Sequence, residues 1–459
     1  MNFLVLIILA LFGLGAIITF VYYFRTEGML AFYLVGMHYI YAVVEYAGIP
    51  WTTLMTGLVR PILFLICAGA WLFGPARRET EEVSLPRTFS PAVFVILFLV
   101  FFWELKYFFE GQVEEATFKY EYYKWAYVIN RWAAVFVLGV LFPLTLKRLR
   151  RFLLALGLLG LGLAGLLMVN YLMGTTNVAQ FEARYTPLER GSNLGFGIYI
   201  SMGGAALLGW MVMKNALKKS QKRTIFIYTC VAFMMLSTML TGSRGPMASL
   251  FLTMVATIMI VGGRHAWRYA LGMVGFGLVM FVGWNVVSPA ARGRLFGAFF
   301  TEGGVGERVH LLLASFKMLE VAPVFGQTRG FVEVTGFGYS HQFTTEMMVE
   351  MGLFGLLLFL GACIPTVIQW AKWIWRRGHP LQFFAAPLMV WFTWEFIQRH
   401  VAGSLTSTDW WLVLGIMMGH RLEIKPQDNI SGYSPPEEMI EPTWSSPAFG
   451  VDVDRTPMW

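Results

Sequence analysis

The chain has 459 residues, of which 57% are apolar and only 14% charged, a balance that excludes a water-soluble domain of this size and predicts an all-α protein with many membrane spans. Its net charge of +8 does not point to nucleic acid, because the Lys and Arg residues fall in short runs between apolar stretches, where they set topology. Cys67, Cys230 and Cys363 all lie inside apolar runs, at spacings that suit neither disulfides nor metal ligation, and are read as core residues.

In chain order, Asn2–Phe24 is apolar with no basic leader and no small-residue cleavage site, so it is expected to stay as a first span. Further runs of spanning length lie near 29–46, 51–74, 91–109, 125–146, 152–173, 193–213, 224–242, 246–263, 269–288, 344–371, 381–400 and 403–420, which makes about twelve or thirteen helices. The connecting segments 75–90, 147–151, 214–223, 264–268 and 372–380 hold the Lys and Arg clusters and are assigned to the cytoplasm. The alternate segments 110–124, 174–192, 243–245, 289–343 and 401–408 then face outward. This alternation holds from residue 75 onward. The orientation of the N-terminus depends on whether 29–46, which contains His38 and Glu45, truly spans. Residues 1–421 form the membrane domain, and the Pro-, Ser- and acid-rich stretch 422–459 reads as a disordered cytoplasmic tail.

The segment 289–343 is the longest break between spans before that tail, and a connection of this length is usually functional or disordered. Residues 307–320 place Val309, Leu312, Phe316 and Leu319 at helical spacing with Arg308, Lys317 and Glu320 among them, which predicts an amphipathic helix on the membrane face. Pro323, Gly326, Gly330, Gly336 and Gly338 follow, and then His341 just ahead of the next span.

Between two earlier spans stands Thr241-Gly242-Ser243-Arg244-Gly245-Pro246, with Pro246 placed to open a helix. Arg244 there either snorkels to headgroups or clamps an anion with its planar fork beside a helix N-terminus. Arg308 is expected in the same setting at the first turn of 307–320, unless it serves only to pair Glu302 or Glu307. His341 is either a hydrogen-bonded structural residue or the group that takes a proton from a hydroxyl near neutral pH.

Arg60, Glu104, Lys106, Arg131, Glu395 and Arg399 fall inside apolar runs and must pair, snorkel or line a wet cavity. Tyr120–Trp125 mixes aromatics with charge, as an interfacial belt or a sugar-stacking surface does, and Arg184 and Arg190 add positive potential in 174–192. No aspartate precedes Asp409, which excludes an Asp-based metal motif from almost the whole membrane portion.

As a set, Ser243-Arg244-Gly245 between two spans, a large loop with an Arg-led helix, Pro323-x-x-Gly326, and His341 before a span carrying Glu350, Gly352 and Gly355 resemble the O-antigen ligase and O-antigen polymerase family of bacterial inner membranes. The resemblance is sharpest over 225–375. It implies a GT-C-like, metal- and cofactor-independent glycosyltransferase that takes a glycan from undecaprenyl diphosphate at the periplasmic face and passes it to a growing polysaccharide or lipid A core. By motif, Arg244 and Arg308 would hold the donor diphosphate, with Arg190, Arg329 and Gln342 adding to the binding surface, and His341 would assist the acceptor hydroxyl. The family commonly has His-Asn where this chain has His341-Gln342, which bears on acceptor specificity. Membrane lipids are implied partners, with a flippase or chain-length regulator beside them. A lipid-linked oligosaccharide transporter is the alternative; such proteins often show internal repeats and interrupted midplane helices, and no repeat is visible here.

Overall fold

The computed structural model describes residues 23–36, 64–71, 84–110, 132–173, 177–179, 184–186, 193–217, 221–261, 302–327, 342–374, 379–402 and 408–422, with a few isolated positions between them. The expected spans near 2–24 and 269–288, much of 29–46 and 51–74, Tyr120–Trp125 and the tail beyond 422 lie outside the described residues. What is described is an α-helical membrane protein. Leu146–Leu172, Phe196–Met213, Lys222–Leu240 and Phe343–Ile374 are long and apolar enough to cross a bilayer, and Arg244–Ile260 and Thr408–Met418 are shorter apolar helices.

The elements run α1 (Pro91–Glu110), α2 (Ala134–Leu141), α3 (Leu146–Leu172), β1 (Asn177–Ala179), β2 (Arg184–Thr186), α4 (Asn193–Leu217), α5 (Gln221–Leu240), α6 (Arg244–Val261), α7 (Glu302–Val321), α8 (Phe343–Ile374), α9 (Gln382–Ala402) and α10 (Thr408–Met418). The expected outward loop 174–192 contains a short antiparallel hairpin with Val178 opposite Tyr185. The basic run 147–151, expected as a connection, forms the first turns of α3. Thr145 caps them by accepting from the Arg148 amide at 3.2 Å, and Glu27 pairs with Arg148 at 3.6 Å.

One end of the bundle is sewn together by backbone. Leu85 N–H donates to Leu144 O (3.0 Å), Thr88 N–H to Gly419 O (2.9 Å) and Arg421 N–H to Pro86 O (3.0 Å), while Ser90 Oγ donates to Met418 O (2.9 Å). The start of α1, the start of α3 and the end of α10 therefore share an end, and helical alternation puts the starts of α5 and α9 there too. This end carries Arg87, Lys147, Arg148, Arg150, Arg151 and Arg376. The opposite end gathers the start of α6, the end of α9, the start of α10 and the last turns of α1. Between the ends lies an aromatic core: Trp103 meets Trp132 edge-on at 5.9 Å, Trp132 meets Trp411 at 4.3 Å, and Phe343 fills the space between Trp411 and Trp410.

The span expected as 344–371 is not one continuous helix. α8 runs for 32 residues but breaks at Gly352, where φ is 67° and ψ −167°. A break of this kind frees amides and carbonyls that lipid cannot satisfy. The turn 323–327, a strap that follows α7, takes up several of them: Leu353 N–H donates to Pro323 O (2.9 Å), Phe354 N–H to Val324 O (3.0 Å), and Gln327 N–H to Val349 O (2.7 Å). The strap turns at Gly326, whose φ is 66°, and the two glycines face each other so closely that a Cβ on either would collide with the other's backbone nitrogen. Pro323 suits the strap because it needs no amide donor and offers its carbonyl.

The helix expected over 307–320 is longer. α7 begins at Glu302, and Leu311, Ala314, Ser315 and Met318 are buried, with Leu311 and Met318 packed on Val349 of α8. Val309 and Phe316, expected on the face toward the membrane, are 46% and 45% exposed within the protein.

Because each glycine combines left-handed φ with a backbone neighbour in the way, Gly326→Ala and Gly352→Ala are each expected to cost at least about 2 kcal/mol. Gly361→Ala, at a helical position with open space around a Cβ, is expected to be neutral or to stabilise by about 0.5–1 kcal/mol. Thermal unfolding in detergent measures all three.

Candidate functional site

The α5–α6 turn is set by Gly242, whose φ of 64° lets its N–H return to Met239 O at 2.9 Å and end α5. Ser243 follows, and Arg244 and Gly245 are helical, so α6 starts earlier than Pro246; Pro246 sits in the first turn, where no intrahelical donor is required. Arg244 is half-buried at this helix N-terminus. Ser243 is 4% exposed, and its Oγ has no hydrogen-bond partner. Gly197 of α4 lies against it; a Cβ there would come within 2.9 Å of Ser243 Cβ, so only glycine leaves room for the turn. One turn further into α6, the Ser249 hydroxyl donates toward Gly245 O at 2.8 Å and lies 3.0 Å from the side-chain oxygen of Gln398 on α9.

Beside Gln398 is a fully buried ionic cluster. Arg399 reaches Glu395 Oε2 from Nε at 3.3 Å and from Nη2 at 3.2 Å, and its Nη2 is held in still closer contact by Asp409 Oδ2. The positions are favourable for each charge. Arg399 is in the last turn of α9, where helix carbonyls favour a cation, and Asp409 is in the first turn of α10, where helix amides favour an anion. The ion pair therefore clamps the α9–α10 connection.

Across the aromatic core, α1 grips α8. Trp103 Nε1 donates to Glu350 Oε2 at 2.7 Å, and Lys106 Nζ donates to Glu350 O at 2.7 Å and to Phe325 O at 2.6 Å. The ammonium thus caps the broken helix at its carbonyl end and holds the strap with the same group. Phe102, Phe325 and Phe354 close over this contact with centroids 5.5–5.8 Å apart. The charges expected to pair or to line a pocket, Lys106, Glu395 and Arg399, are paired with protein groups; Arg60 and Arg131 lie outside the described residues.

Of the residues singled out in the sequence, Arg244 and Gln342 are placed at the same end of the bundle as the ionic cluster. Gln342 precedes α8 and accepts from Glu346 N–H at 3.0 Å and Thr345 Oγ1 at 2.9 Å. His341, Arg190 and Arg329 lie outside the described residues. α7 starts at Glu302, so Arg308 is its seventh residue and not in its first turn as expected. Sequence reasoning undervalued Asp409, Trp103 and Lys106. A signal for Asp409 was present in Thr408-Asp409 opening an apolar run, a helix-start pattern, two residues that an unbalanced Arg399 could reach. Among the described residues, no three His, Cys, Asp or Glu side chains converge as metal ligands.

Lys106→Met removes both charge-assisted bonds while keeping the stem, and is expected to cost about 2–4 kcal/mol and to speed amide hydrogen exchange at 325–327 and 352–354 well beyond the rest of α8. Hydrogen-exchange mass spectrometry reads this directly. Compared with protein-family models and with curated proteins, the chain matches none of either.

Proposed function

We propose that the protein is a glycosyltransferase of the O-antigen polymerase or ligase type, with a GT-C-like fold, which transfers a glycan from undecaprenyl diphosphate to an acceptor hydroxyl at the periplasmic face of a bacterial inner membrane. The observation that carries this reading is Arg244: a half-buried guanidinium at the N-terminus of an apolar helix, at the end of the bundle opposite the basic residues. A helix N-terminus and an arginine fork both favour a diphosphate. The basic end supports a cytoplasmic assignment for that side by the positive-inside rule, which puts Arg244 outside.

In the proposed reaction the acceptor oxygen forms a bond to the donor's anomeric carbon, and the bond from that carbon to the diphosphate oxygen breaks. The electron pair leaves with the diphosphate, whose developing charge Arg244 stabilises, with Arg308 beside it. The acceptor proton passes to His341. Transfer to lipid A core and transfer to a growing polysaccharide use the same step and differ only in the acceptor.

The broken helix α8 is a specific observation in favour of the transporter alternative, since interrupted helices often form transport sites. In this chain, however, the groups freed at Gly352 are bonded to the strap of the same chain, so the break is filled by protein and offers its backbone to no substrate.

Purified protein in bilayer nanodiscs, given undecaprenyl-diphosphate-linked glycan, is expected to release undecaprenyl diphosphate in excess chelator. Arg244→Lys should keep more activity than Arg244→Ala, which is expected to lose about a hundred- to a thousandfold. His341→Gln should lose turnover together with the acid limb of the rate profile, while retaining donor binding. ATP-independent movement of intact lipid-linked glycan without cleavage would replace the transferase reading with the transporter one.

A further inference from the structure

The Glu395–Arg399–Asp409 cluster does not balance. Its three side chains are 0%, 3% and 3% exposed, and with both acids ionised they carry two negative charges against one positive. An uncompensated charge in this setting is strongly destabilising, so a further positive charge belongs in the cluster. We propose that this charge is a proton: the cluster is a proton-binding site in which Glu395 is held as the neutral acid and Asp409 is the carboxylate that pairs with Arg399.

Three features assign the proton to Glu395 and not to Asp409. The bonds from Arg399 to Glu395, at 3.2 and 3.3 Å, are long for a charge-assisted pair. Asp409 lies in the first turn of α10, where the helix amides favour an anion, whereas Glu395 is deep inside α9, four residues before Arg399. Finally, Glu395 Oε1 is buried with no hydrogen-bond partner, as is Gln398 Nε2 one turn away, and Trp391 offers its indole N–H from the preceding turn without reaching hydrogen-bond geometry. A carboxylate oxygen so placed is much costlier than a protonated one.

Among the described residues, the packed neighbours do not supply a second cation; His400, beside Arg399, has its Nδ1 on Phe396 O at 2.7 Å. α4 contributes Tyr199, which acts on Arg399. At this end α8 contributes Glu346 and Glu350, both acids, and Lys106 of α1 is bonded to Glu350 O and Phe325 O. α6 contributes Arg244. Ser249 lies opposite Gln398 in antiparallel helices, so Arg244 is five residues toward the bundle end from that level and Glu395 three residues the other way, an axial separation of about 12 Å at 1.5 Å per residue. The Lys and Arg residues of α3 are at the basic end, and only Tyr171 of its ionisable side chains is in the last turn.

The test compares the full-length wild type with Glu395→Gln and Asp409→Asn in detergent. The amide of Glu395→Gln copies the shape of the neutral acid, so its Tm is expected to stay at the wild-type value, while Asp409→Asn leaves Arg399 without its counter-ion and is expected to lower Tm sharply or prevent folding. The wild-type infrared spectrum should contain a carboxylic-acid C=O stretch that Glu395→Gln removes, a readout that holds even where Asp409→Asn cannot be purified. Replacing sodium by a bulky organic cation should not change the wild-type Tm. A Tm loss in Glu395→Gln as large as in Asp409→Asn, or the absence of the acid stretch, would overturn the proposal; a sodium-dependent Tm that Glu395→Gln abolishes would put a metal cation in place of the proton.

Discussion

A helix that stops for one residue inside an apolar bundle exposes amides and carbonyls that neither lipid nor apolar side chains can satisfy. At Gly352 this chain meets the constraint with its own backbone: the strap after α7 enters the break and takes up the freed groups, and Lys106 fixes both partners from α1. Much else follows from that contact. It lies beside the packing of Leu311 and Met318 of α7 on Val349 of α8, it anchors the segment leading away from α7, and it fixes Glu350, whose carboxylate Trp103, one turn from Lys106 on α1, also holds. Pro323, Gly326, Glu350 and Gly352, which are scattered in sequence, are parts of one joint.

The two ends of the bundle are built by different means. The basic end uses main-chain hydrogen bonds between non-helical segments, with Arg148 paired to the buried Glu27. The opposite end uses buried side-chain polarity: Ser249 against Gln398, Arg399 between two acids, and Trp103 on a carboxylate. Buried polar groups are poor sources of stability but set a unique geometry when their partners are in place. A reaction that stabilises charge on a diphosphate needs such fixed surroundings at its site, since donors that must reorganise contribute less.

The sequence made the membrane class and most helix positions legible, because apolar runs of spanning length and basic punctuation leave few alternatives. The start of α6 was legible to within two residues from Pro246. The break in α8 was not legible: Gly352 sits among Met351, Leu353 and Phe354, and an isolated glycine in an apolar run reads as a tolerated one until the strap that fills the gap is seen. The start of α7 was missed because Gly303, Gly304 and Gly306 resemble a loop. For the candidate site, the place of Arg244 at the start of α6 was legible from its position between two spans. Asp409 was read only as the first aspartate of the chain, inside the run 403–420, although it is the residue that pairs with Arg399.

The account stands most directly on whether Arg244 binds the diphosphate of a polyprenyl lipid. Equilibrium binding of undecaprenyl diphosphate to the protein in nanodiscs is expected to saturate for the wild type, to weaken about tenfold or more in Arg244→Ala, and to be unchanged in Lys147→Ala at the opposite end. Equal affinity of the wild type and Arg244→Ala, or a loss confined to Lys147→Ala, would contradict it.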